Sequence, residues 1–459
     1  MRGRPPSPGA PSTAPSAVPL PRFAGEDQYG TALSSPVASR GRGTSEAGGG
    51  GAPAGERQAQ NDLTHRPLLL AFVLLHLATS ATLVDLLPHV FTQLALGAMV
   101  ACIGALALLS LWRGRLWPVL GAAAMAGLLA CAVITFAGNA HAEPAWNIEL
   151  SYLALPALPL FALGRGDAPW LIRATFGPAL LYCAAYLALA LTHHTGLRVV
   201  DGGGRGDRLA IAPAYVVLVL CVGLARLRHR LDPLGIFAVT AATLVLVLSA
   251  YRVLIAEIAA LVALAVAIGV GPRLKLLVAA GTGLAILANL AGVFTPGWSV
   301  YQLLAADPSV AARATTYAAL APKLEAHPLT GIGLPGSVEA LWTYLATPYA
   351  YWEDLGPTGI WAAFGLTGLL VLLALTLLAL AGPSLAPSPE QHGLTATALA
   401  CALSASYSPD LFGGGATIIV GLVLASWVGP ETQRPPTPSL PSRGRVAVGI
   451  GTASRPPPP

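Results

Sequence analysis

FTPGWSVYQLLAADPSVAARATTYAALAPKLEAHPLTGIGLPGSVEALWTYLATPYAYWEDLGPTG, residues 294–359, is the long break in an otherwise apolar chain. From Arg66 to Gly429 almost everything else is apolar sequence, cut into pieces of a length that crosses a bilayer. In the break the chain stays out of hydrocarbon for about sixty residues, yet it keeps aromatics, helical spacing and Gly/Pro turn signals. That contrast describes a bundle of membrane helices holding one structured loop outside. Chemistry is expected in or beneath that loop.

Composition agrees. Hydrophobic residues make up 54% of the chain and charged residues only 10%, with a mean hydropathy of +0.65. These values exclude an ordinary soluble domain and place the chain among polytopic membrane proteins. The formal charge of +5 is no argument for nucleic acid, because much of it lies in the two tails. Cys102, Cys131, Cys183, Cys221 and Cys401 all fall within apolar runs and none has CxxC spacing. No disulfide, metal site or cofactor is expected from them.

Outward from the break, apolar runs lie near 67–85, 91–112, 116–137, 150–164, 169–192, 209–226, 233–250, 253–271 and 274–293 before it. Those near 357–381, 393–408 and 412–429 follow it. The expected fold is therefore all-α, a polytopic integral membrane protein with about twelve transmembrane helices and one large extracytoplasmic loop. Residues 1–63 and 431–459 are Pro/Gly/Ser/Arg-rich and without apolar periodicity, and are expected to be disordered tails around a transmembrane domain at 64–430. The start of the chain has no compact apolar core of a signal peptide.

Orientation follows from the short loops. Arg113 and Arg115, Arg165, Arg226 with Arg228 and Arg230, and Arg273 with Lys275 all follow even-numbered runs. The positive-inside rule puts those loops and both termini in the cytoplasm and residues 294–356 outside, in a multi-pass inner-membrane protein. Arg198, Arg205, Arg208, Arg252, Arg313 and Lys323 then stand on the side where cations are disfavoured, and an anionic ligand would give them a reason.

Arg252 interrupts LVLSAYRVLIAEIAAL at the boundary of two runs. Two readings are open: it snorkels to headgroups or pairs with Glu257, or it reaches a cavity beneath the loop and binds phosphate oxygens. Arg313 lies in DPSVAARATTYAALAPKL, where Asp307, Pro308 and Ser309 signal a helix start. Val310, Ala314, Tyr317 and Leu320 form its apolar stripe, and Arg313 sits close to that stripe. The helix is expected to end before His327-Pro328, ahead of the turn GIGLPG at 331–336. Trp298, Tyr301, Tyr317, Trp342, Tyr344, Tyr349, Tyr351 and Trp352 suit either sugar stacking or an interfacial aromatic belt.

The order of these pieces, Ser249–Arg252, then Asp307–Ser309–Arg313, then Pro328–Gly333, then Glu353–Leu355–Gly356–Gly359, resembles the O-antigen ligase and polymerase family over about residues 205–380. The resemblance implies a metal-independent glycosyltransferase. Such an enzyme takes a glycan from an undecaprenyl-diphosphate carrier and passes it to an acceptor glycan or glycolipid. Arg252 and Arg313 then correspond to the arginines that hold the diphosphate. One position departs from the pattern. The family's ligases carry a His, often His-Asn, about eleven residues before the Gly that opens the next span, and here the neighbourhood is Tyr344-Leu345-Ala346-Thr347-Pro348. Groups that could replace that His as general base are His327, Glu339, Glu353, Asp354, and the pair His193 and His194. Glu353 and Asp354 equally suit the dipole of the helix expected from Pro357. The alternatives to an active transferase are a transporter or flippase for lipid-linked or anionic substrates, and a family member without catalysis.

Overall fold

In hydrocarbon every backbone N–H and C=O must find its partner inside the protein, so long apolar runs fold as helices. The structure, a computed structural model, describes residues 65–79, 89–144, 150–164, 167–192, 199–200, 208–209, 211–249, 252–268, 271–294, 308–347, 355–381, 388–407 and 414–426. The stretches 1–63 and 431–459 lie outside the described residues.

Among the described residues the chain is helical apart from one antiparallel pairing of β1 (Val199–Val200) with β2 (Arg208–Leu209). The first helices are α1 (His65–Ala78), α2 (His89–Trp112) and α3 (Leu116–Ala140). The run 150–164 becomes 3₁₀ turns at Leu150–Leu153 and Leu158–Gly164 around the short α4 (Ala154–Ala157). Pro156 and Pro159 each remove an amide donor there, so no regular ladder runs through it. Then come α5 (Ala168–Leu191), α6 (Pro213–His229), α7 (Pro233–Ser249), α8 (Arg252–Ile268) and α9 (Pro272–Phe294). After them follow α10 (Pro308–Ala326), α11 (Val338–Leu345), α12 (Pro357–Leu380), α13 (Pro389–Ser404) and α14 (Gly415–Ser426).

Each apolar run named from the sequence coincides with a helical segment, but the expected number of crossings does not follow. Five helices are long and apolar enough to span a bilayer by length and composition: Val90–Trp112, Leu116–Ala140, Ala168–Leu191, Pro272–Ala291 and Pro357–Leu380. The expectation of about twelve is corrected on that measure. The reason is length and polarity. The apolar helices α1, α7 and α14 stop at 17 residues or fewer, short of the roughly 20 that cross hydrocarbon. Helix α6 ends in Arg226, Arg228 and His229, and α13 carries Gln391, Thr395, Thr397 and Ser404.

Helices α6 and α13 form the centre of the core. Tyr215, Val216, Leu218, Val219 and Val222 of α6 and Leu394, Ala398, Leu399 and Ala402 of α13 have no exposed surface. A helix apolar all round belongs inside a bundle. The long spans surround this centre and turn Leu94, Leu108, Leu120, Leu181, Leu284 and Leu370 outward, in the manner of lipid-facing side chains. Charges collect where helices end. Arg226 at the end of α6 pairs with Asp232 at 2.5 Å and with Glu390 of α13 at 3.5 Å. The Arg226 guanidinium holds the Asp232 carboxyl below the usual carboxylate range. A second group ties the starts of α1 and α5 to the end of α2. There His65 Nε2 donates to Asp167 at 2.8 Å, Arg66 pairs with the same carboxylate, and Arg113 donates to His65 Nδ1 at 3.2 Å. The tautomer is assigned from those partners.

Candidate functional site

The end of the bundle that carries the 294–356 segment holds two features built from polar and glycine positions. The first begins with α10. Pro308 opens this helix, and Tyr317, Leu320 and Leu324 bury its stripe against the core. Of the stripe expected from the sequence, Tyr317 and Leu320 are on the packed face and Ala314 is half-buried, while the Val310 side chain lies outside the described residues. Tyr317 is buried rather than available for stacking on a sugar. Arg313 is half-buried beside it. His327 closes the helix as a backbone corner: its N–H donates to Lys323 O at 3.1 Å, and its carbonyl accepts from Gly331 N at 2.8 Å.

Beyond that corner the chain turns inward between α3 and α12. Ile332 N donates to Ala362 O at 2.7 Å, Leu334 N to Ala132 O at 2.9 Å, and Asn139 Nδ2 to Ile332 O at 3.1 Å. Trp361 Nε1 donates to Pro328 O at 2.7 Å. Ala132 lies about 12 Å below the end of α3, at 1.5 Å per residue, and Gly365 about as far below the start of α12. Residues 331–334 are therefore tucked between α3 and α12, while Pro328, Leu329 and Thr330 before them stay exposed. Irregular backbone at that depth is tolerated only when protein buries it, and Ile332 and Leu334 are 1% and 4% exposed.

Helix α12 breaks to receive the segment. Gly365 sits at φ 64, ψ −161, inside an otherwise helical run. That region is open essentially to glycine alone, and a Cβ there would meet Leu329 O at 2.1 Å. Gly333, at φ 92, is as constrained: a Cβ would meet Phe136 N at 2.1 Å. The GIGLPG turn is thus a wedge fitted into two helices, not an outward-facing loop. It leads into α11, where Ser337 caps the helix by accepting from Ala340 N at 3.2 Å. Tyr344 of α11 packs edge-on to Phe136 with ring centres 5.6 Å apart, under the Lys323 ammonium at 4.7 Å. Burial pushes the Tyr344 phenol above its ordinary value. A cleft of about 160 Å³ opens beside the wedge, lined by Val133, Phe136, Glu143, Leu334 and Ser337 among others. It has room for a few waters and not for a sugar chain.

The second feature is a polar cluster where four helices meet. Tyr407, just past α13, donates to Glu257 Oε2 of α8 at 2.6 Å. Thr358 of α12 donates to Asn289 Oδ1 of α9 at 2.6 Å, and Asn289 Nδ2 donates to Ser406 O at 3.4 Å. Thr358 is fully buried and Asn289 nearly so. Polar groups in an apolar bundle are costly unless bonded, and these bond one another. A carboxylate within an apolar helix is a candidate for function.

Helix α8 begins at Arg252, about one and a half turns before Glu257, and its neighbour α9 also touches α10, the helix of Arg313. The two diphosphate candidates thus start or ride on helices that share α9. Of the candidate bases, His327 forms the corner above and Glu339 is exposed on α11. Glu353, Asp354, His193 and His194 lie outside the described residues. Tyr407, Asn289 and Thr358 were not candidates from the sequence. Their one signal there is a polar side chain in or beside an apolar run. Among the described residues no group of three His, Cys, Asp or Glu is placed to hold a metal ion. No family model matches the chain, and no curated protein matches it.

Proposed function

We propose that the chain is a membrane glycan ligase or polymerase of cell-envelope polysaccharide synthesis. It moves a glycan from undecaprenyl diphosphate to the hydroxyl of an acceptor glycan or glycolipid. In this reading the long apolar helices cross the inner membrane, both termini are cytoplasmic, and residues 294–356 face outward.

One observation carries the proposal. Arg252 at the head of α8, Arg313 on α10 and the P-L-x-G-I-G segment belong to helices gathered at one end of the bundle, around a buried polar cluster. The chemistry suits such a place. A diphosphate leaving group gathers charge on oxygen as the anomeric C–O bond breaks, and preorganised guanidiniums in a partly dry site stabilise that charge. Each grips oxygens as a planar fork, so lysine is a poor substitute.

Helix α12 favours a second reading, a transporter of lipid-linked or anionic substrates, because discontinuous helices recur in transporters. Purified protein in vesicles with labelled undecaprenyl-diphosphate oligosaccharide and a lipid-anchored acceptor separates the two. Release of undecaprenyl diphosphate that Arg252→Ala and Arg313→Ala abolish supports transfer. Passage of the intact carrier across the bilayer would replace it with the transporter.

A further inference from the structure

Glu257 is a carboxylate set in an apolar helix, half-buried, at the end of the bundle that carries the proposed site. Its Oε2 accepts from Tyr407 at 2.6 Å, and its Oε1 accepts no hydrogen bond among the described residues. The other ionisable groups on the helices packed against α8 are remote from it. Arg273 and Lys275 begin α9, and Glu390 and His392 begin α13, each at the far end of its helix. A carboxylate with one oxygen anchored and one open, with Arg252 about one and a half turns earlier on the same helix, can exchange a proton with a bound group.

We propose that Glu257 takes the proton of the acceptor hydroxyl in the transfer step, with Tyr407 as its positioning residue. This rests on the transferase reading above. The acceptor oxygen attacks the anomeric carbon and forms the new C–O bond. The bond from that carbon to the diphosphate oxygen breaks, and its electron pair leaves on the diphosphate. The hydroxyl proton passes to Glu257 Oε1, and from there to solvent. The assignment uses a residue from an apolar helix rather than from the outer loop.

The test uses the full chain in vesicles with the same labelled donor and lipid-anchored acceptor. Glu257→Gln keeps the Tyr407 hydrogen bond and the side-chain volume but cannot accept the proton. Transfer is expected to fall about 10²- to 10⁴-fold while donor binding holds, and Glu257→Asp is expected to restore part of it. Tyr407→Phe removes a donor that favours the ionised carboxylate. Its acid limb of the rate profile is expected to move to higher pH, which a merely structural tyrosine would not cause. Transfer by Glu257→Gln within about threefold of wild type overturns the assignment and leaves the transferase reading standing. Parallel loss of donor binding and thermal stability in Glu257→Gln also overturns it, in favour of a structural role. If wild type releases no carrier under any condition, the transferase reading itself fails, and the assignment with it.

Discussion

The amide of Leu366 donates not to its own helix but to the carbonyl of Leu329, at 3.0 Å. In an unbroken helix it would bond Ala362 O, four residues back. That carbonyl instead accepts from Ile332 N at 2.7 Å. The wedge has exchanged partners with α12, so the Leu366 amide and the Ala362 carbonyl both stay bonded across the break. Gly365 makes the exchange sterically possible, because a Cβ there would meet Leu329 O at 2.1 Å.

Gly365→Ala tests the exchange directly. Alanine disfavours the native φ and ψ and collides with Leu329 O, so the fold is expected to lose about 1–3 kcal/mol. An unbroken α12 would also displace the wedge. A cysteine at Ile332, 1% exposed in the native chain, is expected to resist a membrane-impermeant maleimide with Gly365 present and to label readily with alanine there. Equal protection in both backgrounds would show that the wedge does not depend on the break.

Trp361→Phe keeps a ring in place but removes the indole donor to Pro328 O. Pro328 is exposed, so water can reach its carbonyl in part, and a stability loss of about 0.5–1.5 kcal/mol is expected by thermal unfolding in detergent. A change near zero would mean that water replaces the indole.

Thr358 and Asn289 provide a paired test. Thr358→Val, Asn289→Leu and the double variant form a thermodynamic cycle across α12 and α9. A coupling of about 0.5–1.5 kcal/mol is expected, the range of hydrogen bonds between membrane helices. Strict additivity of the two losses would remove this bond from the account of how the cluster is held.

Asp232 gives a pH dependence. Arg226, through a hydrogen bond and its charge, holds the Asp232 carboxyl below the usual range. The folded chain therefore binds that proton less readily than the unfolded chain. The contribution is complete above the unfolded value near pH 4 and is lost as pH falls through the lower folded value. Unfolding temperatures of wild type are expected to drop more steeply below about pH 4 than those of Asp232→Asn. Parallel curves would mean that the pair is not linked to folding.

The sequence by itself determined where the helices lie, because an apolar run that leaves water has no other way to satisfy its backbone. It likewise showed the stripe of Tyr317 and Leu320, which needs only a period of 3.6, and the stop at His327-Pro328. It misjudged the number of full-length spans, because apolar composition marks burial without saying whether lipid or protein does the burying. Helix α6 is apolar because it lies at the centre of the bundle. Only the tertiary structure decided that GIGLPG folds inward. A Gly/Pro turn is locally permissive in many directions, and its direction here is set by Ala132 and Ala362, far away in the chain. The meeting of Glu257 with Tyr407 across 150 residues belongs to the same class. A hydrogen bond between helix ends depends on packing, and no local periodicity encodes which ends will meet.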